Sequence, residues 1–556
     1  MIIKKRNLTI LSGACLIAAC SSYSLLWEAE LLGGSNNERL YTKGVLLDSE
    51  QNRIVIGAET NFWGETEEGE PLYGFDPLVA KYDKNGKLLW RTTLDTPFER
   101  TARASSEGWG SHVVGEERYP GGEEAHRVVI DGDDDIYILA ATLGENFNQT
   151  SGSQSDWDRV LAKYSRSGAL LWTVTFTDEY ENIPFDIALL DSGIAVVGMP
   201  HDDADNYPAT TITVFDDDTA EVIAETILEG ITTDVVASQS DTLAISGYET
   251  VTQLNGVAEV QWQQELATIV TVPDGVILPL CSGSWSGDKK AAALSYDSQG
   301  GLYIALNSNP PLFCGFYTIT GTTDIYKLDA STGEFNWKST LAKDVPADSQ
   351  LEAVVEGRRF IPFSMDWLGF DGKIIADEEG VYFAESMMVI EYYAQFVQNL
   401  RADILVSRLD SAGADVWQKR IKNSSQVVYE DSEVVDTVNT LNRLVAVNAD
   451  QDGGVNIELV AAGFDGPTTQ NSDGLGVLQS MTSKGVHYDR DGKRATISTT
   501  DNAVSRGAVM SSNNDYVQVM DDFYPVYGEN EDVLIYKRFL GVEDAPSRII
   551  IKNHTQ

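Results

Sequence analysis

The chain is poor in the residues that build metal and nucleophilic centres. Its 556 residues include four cysteines and five histidines. The histidines, at positions 112, 126, 201, 487 and 554, lie far apart without metal-ligand spacing. No Gly-x-Ser-x-Gly elbow, phosphate-binding loop or His-Glu-x-x-His motif occurs. We therefore predict a protein that is not an enzyme and needs no cofactor. A carbohydrate-active enzyme with dispersed carboxylates stays open as an alternative.

Basic residues are also scarce. Forty Lys and Arg stand against 85 Asp and Glu, which gives a formal net charge of −45. A surface of this charge repels phosphates, so we exclude DNA and RNA as partners. The acidic segments 65–70 and 201–205 suit either calcium binding or a solvated surface. Residues 131–135 are also acidic, but they lie where other parts of the chain turn into a strand, so turn chemistry explains them without metal.

Long apolar runs are missing, apart from a short one at the N-terminus. Lys4-Lys5-Arg6 precedes a mostly apolar stretch over residues 8–19. This stretch of about 12 residues is shorter than the roughly 20 that span a bilayer. Its position and charge are typical of a signal peptide, which implies export.

The end of this stretch, Ile17-Ala18-Ala19-Cys20, resembles the lipobox of bacterial lipoproteins. The resemblance implies removal of residues 1–19, acylation of Cys20 with palmitate-type chains, and a short tether over residues 20–23. The residue after this cysteine is Ser21 rather than aspartate. In such lipoproteins, the lack of aspartate at this position implies transport to the outer membrane of a Gram-negative bacterium. Several acyl chains would anchor the protein stably. The alternative is an ordinary secretory signal followed by a chance cysteine.

The remaining cysteines fit an exported protein. Cys15 would leave with the signal peptide and Cys20 would carry lipid, so Cys281 and Cys314 remain. In an oxidising compartment such a pair favours a disulfide, with two free thiols as the alternative. The two cysteines flank a predicted strand pair around residues 292–306, so the bond would join two long loops of one structural unit.

A short phrase recurs along the chain. Each copy combines the end of a strand, an Asp/Ser-x-x-Gly turn and a new strand that carries tryptophan. The clear copies cover residues 81–90, 163–172, 327–337 and 408–417, and weaker copies lie at 215–219, 255–262 and 488–493. Self-similarity of this kind indicates a repeat architecture.

A second recurring element sets the number of repeats. It is a run rich in β-branched and aromatic residues, bounded by small or acidic ones. Eight runs occur, at residues 53–57, 135–139, 193–198, 242–247, 301–305, 380–384, 455–460 and 515–520. Ser24-Leu25-Leu26-Trp27 resembles a repeat strand without its turn, and the last repeat has no tryptophan strand.

A ring closed by the N-terminal strand would supply that missing strand. We therefore predict an all-β chain with one eight-bladed β-propeller over residues 24–541, followed by a tail over 542–556. Seven blades remain an alternative if the weak unit around 190–225 belongs to a neighbour.

The best copy, Lys327-Leu328-Asp329-Ala330-Ser331-Thr332-Gly333-Glu334-Phe335-Asn336-Trp337, resembles the quinoprotein-like (PQQ-type) propeller repeat. The resemblance implies that the glycine forms the turn and that the tryptophan packs against a neighbouring turn. Those roles fall on Gly86, Gly168, Gly333, Gly413, Trp90, Trp172, Trp337 and Trp417.

Two branches of that family differ in function. The quinone-dependent dehydrogenases carry an adjacent cysteine pair, which this chain lacks. The other branch includes the lipid-anchored propeller subunit of the outer-membrane β-barrel assembly machine, which is not catalytic and binds partners through loops. Resemblance to that branch implies a scaffold, although fold alone does not transfer function.

Predicted insertions indicate where a partner would bind. They cover residues 60–76, 101–127, 274–296, 343–371, 385–401 and 418–436. Residues 386–397 form an apolar segment, for which a helix is one interpretation, and exposed segments of this composition often contact proteins. We predict partner binding by Met387, Met388, Tyr392, Tyr393 and Phe396, unless the segment folds back onto its own blade.

Tryptophans in the predicted insertions suggest a second hypothesis. Trp63, Trp109, Trp285 and Trp367 lie near carboxylates and amides. Aromatic faces in such surroundings suit stacking on sugars. A glycan-binding propeller is therefore the alternative to a protein-binding scaffold.

Overall fold

The computed structural model confirms an all-β chain folded as an eight-bladed propeller. The residues it describes are 23–32, 40–65, 71–94, 99–101, 118–120, 124–143, 157–176, 181–201, 209–230, 232–238, 241–247, 250–266, 291–309, 313–314, 317–318, 322–342, 358–364, 372–393, 396–422, 426–430, 433–465, 477–522 and 548–555. Every blade has four antiparallel strands, and the first strand of each is innermost.

The first four blades follow one another along the chain. Blade 1 has strands β2 (Leu40–Leu47), β3 (Arg53–Glu65), β4 (Pro71–Tyr82) and β5 (Leu88–Thr93). The short pair β6 (Glu99–Thr101) and β7 (Arg118–Pro120) precedes blade 2, which has β8 (Glu124–Ile130), β9 (Ile136–Leu143), β10 (Trp157–Tyr164) and β11 (Leu170–Phe176). Blade 3 has β12 (Glu181–Leu190), β13 (Gly193–His201), β14 (Ala209–Phe215) and β15 (Val222–Glu229). Blade 4 has β16 (Thr232–Ser238), β17 (Thr242–Gly247), β18 (Thr250–Asn255) and β19 (Val260–Glu265).

The later blades carry additional strands. Blade 5 has β20 (Ala291–Tyr296), β21 (Gly301–Asn309), β24 (Thr322–Asp329) and β25 (Phe335–Ala342), with the small pair β22 (Phe313–Cys314) and β23 (Tyr317–Thr318) between its middle strands. Blade 6 has β27 (Lys373–Asp377), β28 (Gly380–Tyr393), β29 (Phe396–Asp410) and β30 (Asp415–Ile421), and β26 (Arg358–Ser364) also pairs with β28. Blade 7 has β32 (Glu433–Ala449), β33 (Val455–Asp465), β34 (Val477–Tyr488) and β35 (Arg494–Asp501), and β31 (Gln426–Glu430) also pairs with β32. Blade 8 has β36 (Ala503–Met510), β37 (Tyr516–Asp522), β38 (Arg548–Thr555) and β1 (Ser24–Leu32).

The ring is closed by the N-terminal strand, as the repeat pattern predicts. Strand β1 pairs antiparallel with β38, with Ser24 opposite Thr555 and Leu32 opposite Arg548. The weak unit around 190–225 is a complete blade, so the alternative of seven blades is wrong.

The predicted C-terminal boundary at residue 541 is also wrong. Residues 548–555 are not a tail but the third strand of blade 8. The repeat phrase joins the third and fourth strands of a blade through a turn. In blade 8 these two strands come from opposite ends of the chain, so the phrase is divided and no turn marks the final strand.

A girdle of tryptophans links neighbouring blades. Trp337 of blade 5 donates its indole N–H to the Ser411 carbonyl in the turn of blade 6, over 2.9 Å. Gly413 in that turn has φ +81°, and a Cβ there would lie 2.7 Å from the Trp337 ring. The turn therefore requires glycine for its backbone angle and for the close approach of the ring.

The same contact recurs around the ring and confirms the roles implied by the family resemblance. Indole N–H groups bond to carbonyls of the next blade in the pairs Trp27–Lys84, Trp90–Arg166, Trp172–Asp217, Trp262–Ala330 and Trp417–Arg490.

The interface between blades 7 and 8 differs from the others. In the described residues, the other seven interfaces each have an apolar cluster of at least seven buried side chains. The corresponding cluster between blades 7 and 8 has three. The fully buried Glu458 of blade 7 lies at this interface and accepts hydrogen bonds from Ser483, Tyr516 and Gln518 at 2.6–2.7 Å. Burial raises the pKa of Glu458 to about 7. We call this interface the polar seam.

The absence of a covalent turn in blade 8 accounts for part of this polarity. In blade 1, Lys81 donates to the same Arg166 carbonyl of the next turn that accepts the Trp90 N–H. At the equivalent position blade 7 has His487, whose ring lies 3.4 Å from Asp450 and beside Tyr23. Blade 8 offers no such turn because the two chain ends meet there.

Candidate functional site

The two faces of the ring differ in their connections. Because the four strands of a blade alternate in direction, the turns between first and second strands and between third and fourth strands share one face. Short turns such as 48–52 and 83–87 close this turn face. We call the opposite face the connection face. Here the second strand of each blade is joined to the third, and the last strand of one blade is joined to the first strand of the next.

The chain segments that contain the six predicted insertions are bounded by strand ends at the connection face, although the predicted range 274–296 also includes the whole of β20, which ends at the turn face. The N-terminal strand begins at the turn face, because Ser24 pairs with Thr555 while His554 pairs with Tyr516 at the start of β37. Tyr23, the last residue of the predicted tether, precedes this strand, so the described chain begins on the side opposite the insertions. Cys20 itself lies outside the described residues.

The predicted partner-binding segment is a β-hairpin rather than a helix. Strands β28 and β29 continue past the body of blade 6 and stay paired up to Tyr393 and Phe396. The apolar residues are not helical because β28 continues through them and stays paired with β29. The hairpin contains all the residues predicted to bind a partner, namely Met387, Met388, Tyr392, Tyr393 and Phe396.

Neighbouring strands extend this hairpin into a broader sheet. Strand β26 pairs with its first strand from Arg358, opposite Tyr393, to Ser364, opposite Met387. A single parallel bridge between Ala402 and Leu441 joins it to blade 7. Blades 6 and 7 therefore project one continuous sheet at the connection face. We call residues 387–402 the blade 6 hairpin.

The predicted sugar-stacking tryptophans are only partly placed. Trp63 lies in β3, in the hairpin that blade 1 extends at the connection face, and the register shifts between Phe62 and Gly64, so Trp63 is the extra residue of a bulge. Trp109, Trp285 and Trp367 lie outside the described residues.

The predicted disulfide is also only partly placed. Cys314 ends β22 and pairs through its backbone with Tyr317 in the connection between the second and third strands of blade 5. Cys281 lies outside the described residues, so the bond stays a prediction.

Acidic residues 131–135 form a turn, as expected. The Asp131 carboxylate accepts the backbone N–H groups of Asp133 and Asp135 at 3.0 and 2.8 Å, and it accepts the Tyr137 hydroxyl at 3.1 Å. Lys163 lies 3.8 Å from Asp131 and 3.3 Å from Asp135. Neither predicted calcium segment, 65–70 or 201–205, is described beyond its first residue. Across the described strands and turns, no group of three or more His, Cys, Asp or Glu side chains is arranged to hold a metal ion.

The central channel contains charged residues that the sequence pattern did not reveal. Most inner strands have a bulge at the same level, and the residue after it is Arg127 in blade 2, Asp186 in blade 3 and Asp234 in blade 4. Arg127 approaches Asp186 to 3.3 Å. The Asp234 carboxylate accepts the backbone N–H of Leu294 at 2.6 Å.

The pKa values of the two channel carboxylates, Asp186 and Asp234, are both raised. Burial raises the pKa of Asp186, although Arg127 acts in the opposite direction. Burial, together with repulsion from Asp186, raises the pKa of Asp234 to about 7, while the Leu294 amide opposes the shift. An alignment of the inner strands by their distance from the following turn would have found this level of the channel, because the residue after each bulge stands at a fixed distance from that turn.

Comparisons with known proteins add little to this geometry. No family model matches the chain, and no curated protein matches it. Among solved structures, the WD40 domain of Pan2 from Neurospora crassa is similar at 8% identity and a TM-score of 0.36, covering 79% of this chain and 93% of that chain. The β-propeller domain of the Trilobed protease from Pyrococcus furiosus has 10% identity and a TM-score of 0.33, covering 83% and 96%. A protein from Lactobacillus plantarum has 11% identity and a TM-score of 0.35, covering 71% and 94%. These likenesses concern the fold alone.

Among the described residues, we find no helix with the length and apolar character needed to span a bilayer.

Proposed function

We propose that this chain is a non-catalytic lipoprotein of the bacterial outer membrane that binds a protein partner through the connection face. The observation that carries the proposal is the division of roles between the faces. The N-terminal strand begins at the turn face, and the chain segments that contain the six insertions lie between strand ends at the opposite face. A lipid on Cys20 would hold the turn face towards the membrane and leave the connection face open to a partner.

The blade 6 hairpin is the proposed centre of contact. Two long antiparallel strands carry Met, Tyr and Phe residues beyond the blade, and β26 and blade 7 support them. Aromatic residues and methionine are enriched in protein interfaces relative to the rest of a protein surface. The support of neighbouring strands also reduces the entropy that the hairpin would lose on binding.

A crosslinking pull-down from intact cells, with a C-terminal tag on the chain, tests this proposal. In the test variant, Asn-Gly replaces residues 388–402, so that Met387 and Asp403 flank a two-residue turn in their existing register. A matched control replaces residues 61–74 in the blade 1 hairpin by Asn-Gly between Thr60 and Phe75.

We expect envelope proteins that the wild type and the blade 1 variant recover and that the blade 6 variant loses. If the Tyr392→Ala/Phe396→Ala variant also fails to recover such a protein, the contact depends on these side chains rather than on the length of the hairpin. Equal recovery by all variants, or no specific recovery by the wild type, would contradict a docking role for the blade 6 hairpin.

Glycan binding is the second candidate, and the bulge at Trp63 favours it. Bulges often re-aim a residue at a functional edge, and this one lies at the connection face. Binding of the mature chain to a glycan array, abolished by Trp63→Ala and kept by Trp90→Phe in the girdle, would support it. An array without specific signal would exclude this candidate.

A further inference from the structure

An open, polar cavity lies on the turn face where blade 4 meets blade 5. Its volume is about 420 Å³, and it is bounded by the turn of blade 4 over residues 255–259 and by Ser331 of blade 5. Six of its eight lining residues carry an amide, hydroxyl or carboxylate group, and Val257 has the one apolar side chain among them. Cavities of roughly 300–1,000 Å³ hold small ligands. The polar lining suits a hydrophilic one. We call this the blade 4 cavity.

Asp241 provides the charge of the blade 4 cavity. Its Oδ1 atom accepts the backbone N–H and the hydroxyl of Ser192 in blade 3, at 3.1 and 3.0 Å. Its Oδ2 atom lies against Gly256, where an added Cβ would collide with it. Among the described residues, this second oxygen accepts no hydrogen bond and meets no cation. One carboxylate oxygen at the cavity is therefore available to a ligand.

The corresponding carboxylate of blade 2 is compensated by cations. Asp134 makes the same link between blades as Asp241, because it accepts the backbone N–H and the hydroxyl of Ser49, both at 2.7 Å. Burial acts to raise the pKa of Asp134, but the hydrogen bonds from Ser49 and the charges of Lys81 and Arg166 together lower it. In blade 2 the protein itself thus supplies positive charge to this carboxylate.

Both of these cations are replaced at the blade 4 cavity. Val214 of blade 3 stands where blade 1 has Lys81, since each is the last residue before the bulge of its third strand. Gly256 stands where blade 2 has Arg166, since each is the second residue of the turn before the outer strand. The two replacements remove both charges and vacate space beside Asp241.

The third strand of blade 4 lacks a further cation. In blades 1 and 2, Lys81 and Lys163 stand opposite a girdle tryptophan and donate to a carbonyl of the next turn, at 3.2 and 3.0 Å. In blade 4 the residue opposite Trp262 is Gln253. Its side chain is 4% exposed and accepts the Tyr296 hydroxyl at 3.3 Å. Its amide nitrogen donates to no described residue, so it offers a donor at the cavity wall.

From these features we infer that the blade 4 cavity binds a small ligand with a primary ammonium group and an oxygen acceptor. The ammonium would replace the missing cations beside Asp241, where a charge-assisted hydrogen bond is stronger than a neutral one. The side-chain oxygens of Gln261 and Ser331 are further acceptors on the wall, and the Gln253 amide suits the ligand oxygen. The net charge of −45 also attracts cations.

The inference goes beyond the proposed function. The cavity lies on the turn face, on the side opposite the blade 6 hairpin, and its ligand is a small molecule. Its test therefore needs neither the protein partner nor the lipid, and its failure would leave the docking proposal unchanged.

Saturation-transfer difference NMR on the mature chain, with D-glucosamine as the probe, tests the inference. The buffer is weakly acidic, so that the amine is protonated, and D-glucose serves as the matched ligand without an ammonium group. Asp241→Asn removes the charge of the cavity. Gln253→Lys restores the lysine of blades 1 and 2 and would place the protein's own ammonium in the cavity.

Asp134→Asn is the matched control for Asp241→Asn. It removes one charge from the corresponding turn of blade 2, where the residue has a similar backbone angle, φ +65° against +55° for Asp241. It also alters the same kind of link to a serine of the preceding blade. A thermal melt of each variant without ligand checks that the fold is retained, and Gln253→Lys carries the test if Asp241→Asn fails to fold.

We expect glucosamine to bind the wild type and Asp134→Asn with equal affinity, and Asp241→Asn and Gln253→Lys at least tenfold more weakly. Glucose should bind the wild type at least tenfold more weakly than glucosamine does. The inference is overturned if glucosamine does not bind the wild type at millimolar concentration, if glucose binds equally well, or if Asp134→Asn loses as much affinity as the cavity variants.

Discussion

Replacement of Gly413 by alanine tests whether the tryptophan girdle stabilises the ring. At φ +81° an alanine costs about 1–2 kcal/mol from backbone strain alone. Its Cβ would also lie 2.7 Å from the Trp337 ring, closer than real Cβ contacts allow, so the ring must move. That movement weakens the Trp337–Ser411 hydrogen bond, worth about 1 kcal/mol. It also disturbs the edge-to-face contact of Trp337 with Tyr303, worth about 1 kcal/mol. We expect a total loss of about 3–4 kcal/mol.

Gly300 offers a matched control for backbone strain. Its φ is +83°, it closes a turn between strands of blade 5, and a Cβ there meets nothing within 4 Å. Gly300→Ala should therefore cost only the backbone term of about 1–2 kcal/mol. The difference between the two variants isolates the contact with the tryptophan.

Differential scanning calorimetry measures the effect. An unfolding entropy of about 2.1 cal/mol/K per residue gives roughly 1.1 kcal/mol/K for about 530 residues, so Gly413→Ala should lower Tm by about 3 °C and Gly300→Ala by about 1 °C. In a double-mutant cycle, Trp337→Ala should remove most of the difference. Equal shifts for the two glycine variants, or a difference that persists without Trp337, would refute the reasoning.

Three further predictions concern the seam, the closure and the disulfide. Because burial raises the pKa of Glu458 from 4.5 to about 7, the folded wild type should lose stability as the pH rises from about 4.5 to 7. Glu458→Gln should flatten this part of a plot of Tm against pH, and an unchanged slope would contradict the assignment. Trp27→Ala should speed hydrogen exchange in residues 548–555, which pair with its strand, whereas Trp90→Ala should leave that exchange unchanged. Peptide mass mapping without reductant should recover Cys281 joined to Cys314, and two unlinked, alkylatable thiols would show that the bond is absent.

The sequence predicts the fold correctly wherever one complete repeat forms one blade. The eight second strands and the tryptophan turns follow from local composition, because glycine, aspartate and β-branched residues determine turns and strands within a few residues. The final strand was missed because its defining phrase is divided between the ends of the chain. The hairpin at 387–402 was misjudged as a possible helix because an apolar run has the same composition in both structures, and only pairing with Phe396–Asp410 settles it.

The channel could not be predicted from any one segment. Arg127, Asp186 and Asp234 belong to three different blades, and each is unremarkable within its own strand. Their relation depends on the packing of neighbouring blades and on bulges at the same level of their inner strands. The polar seam has the same origin, since Glu458 meets Tyr516 and Gln518 only across a blade interface.

Site-specific photocrosslinking in intact cells tests the central claim, partner binding at the connection face, most directly. A photoreactive amino acid is placed at Val397 in the blade 6 hairpin or, in a second strain, at Lys87 in an exposed turn of the turn face. The account predicts that an envelope protein crosslinks to position 397 and not to position 87. Crosslinking of the same protein from both positions, or from position 87 alone, would contradict it.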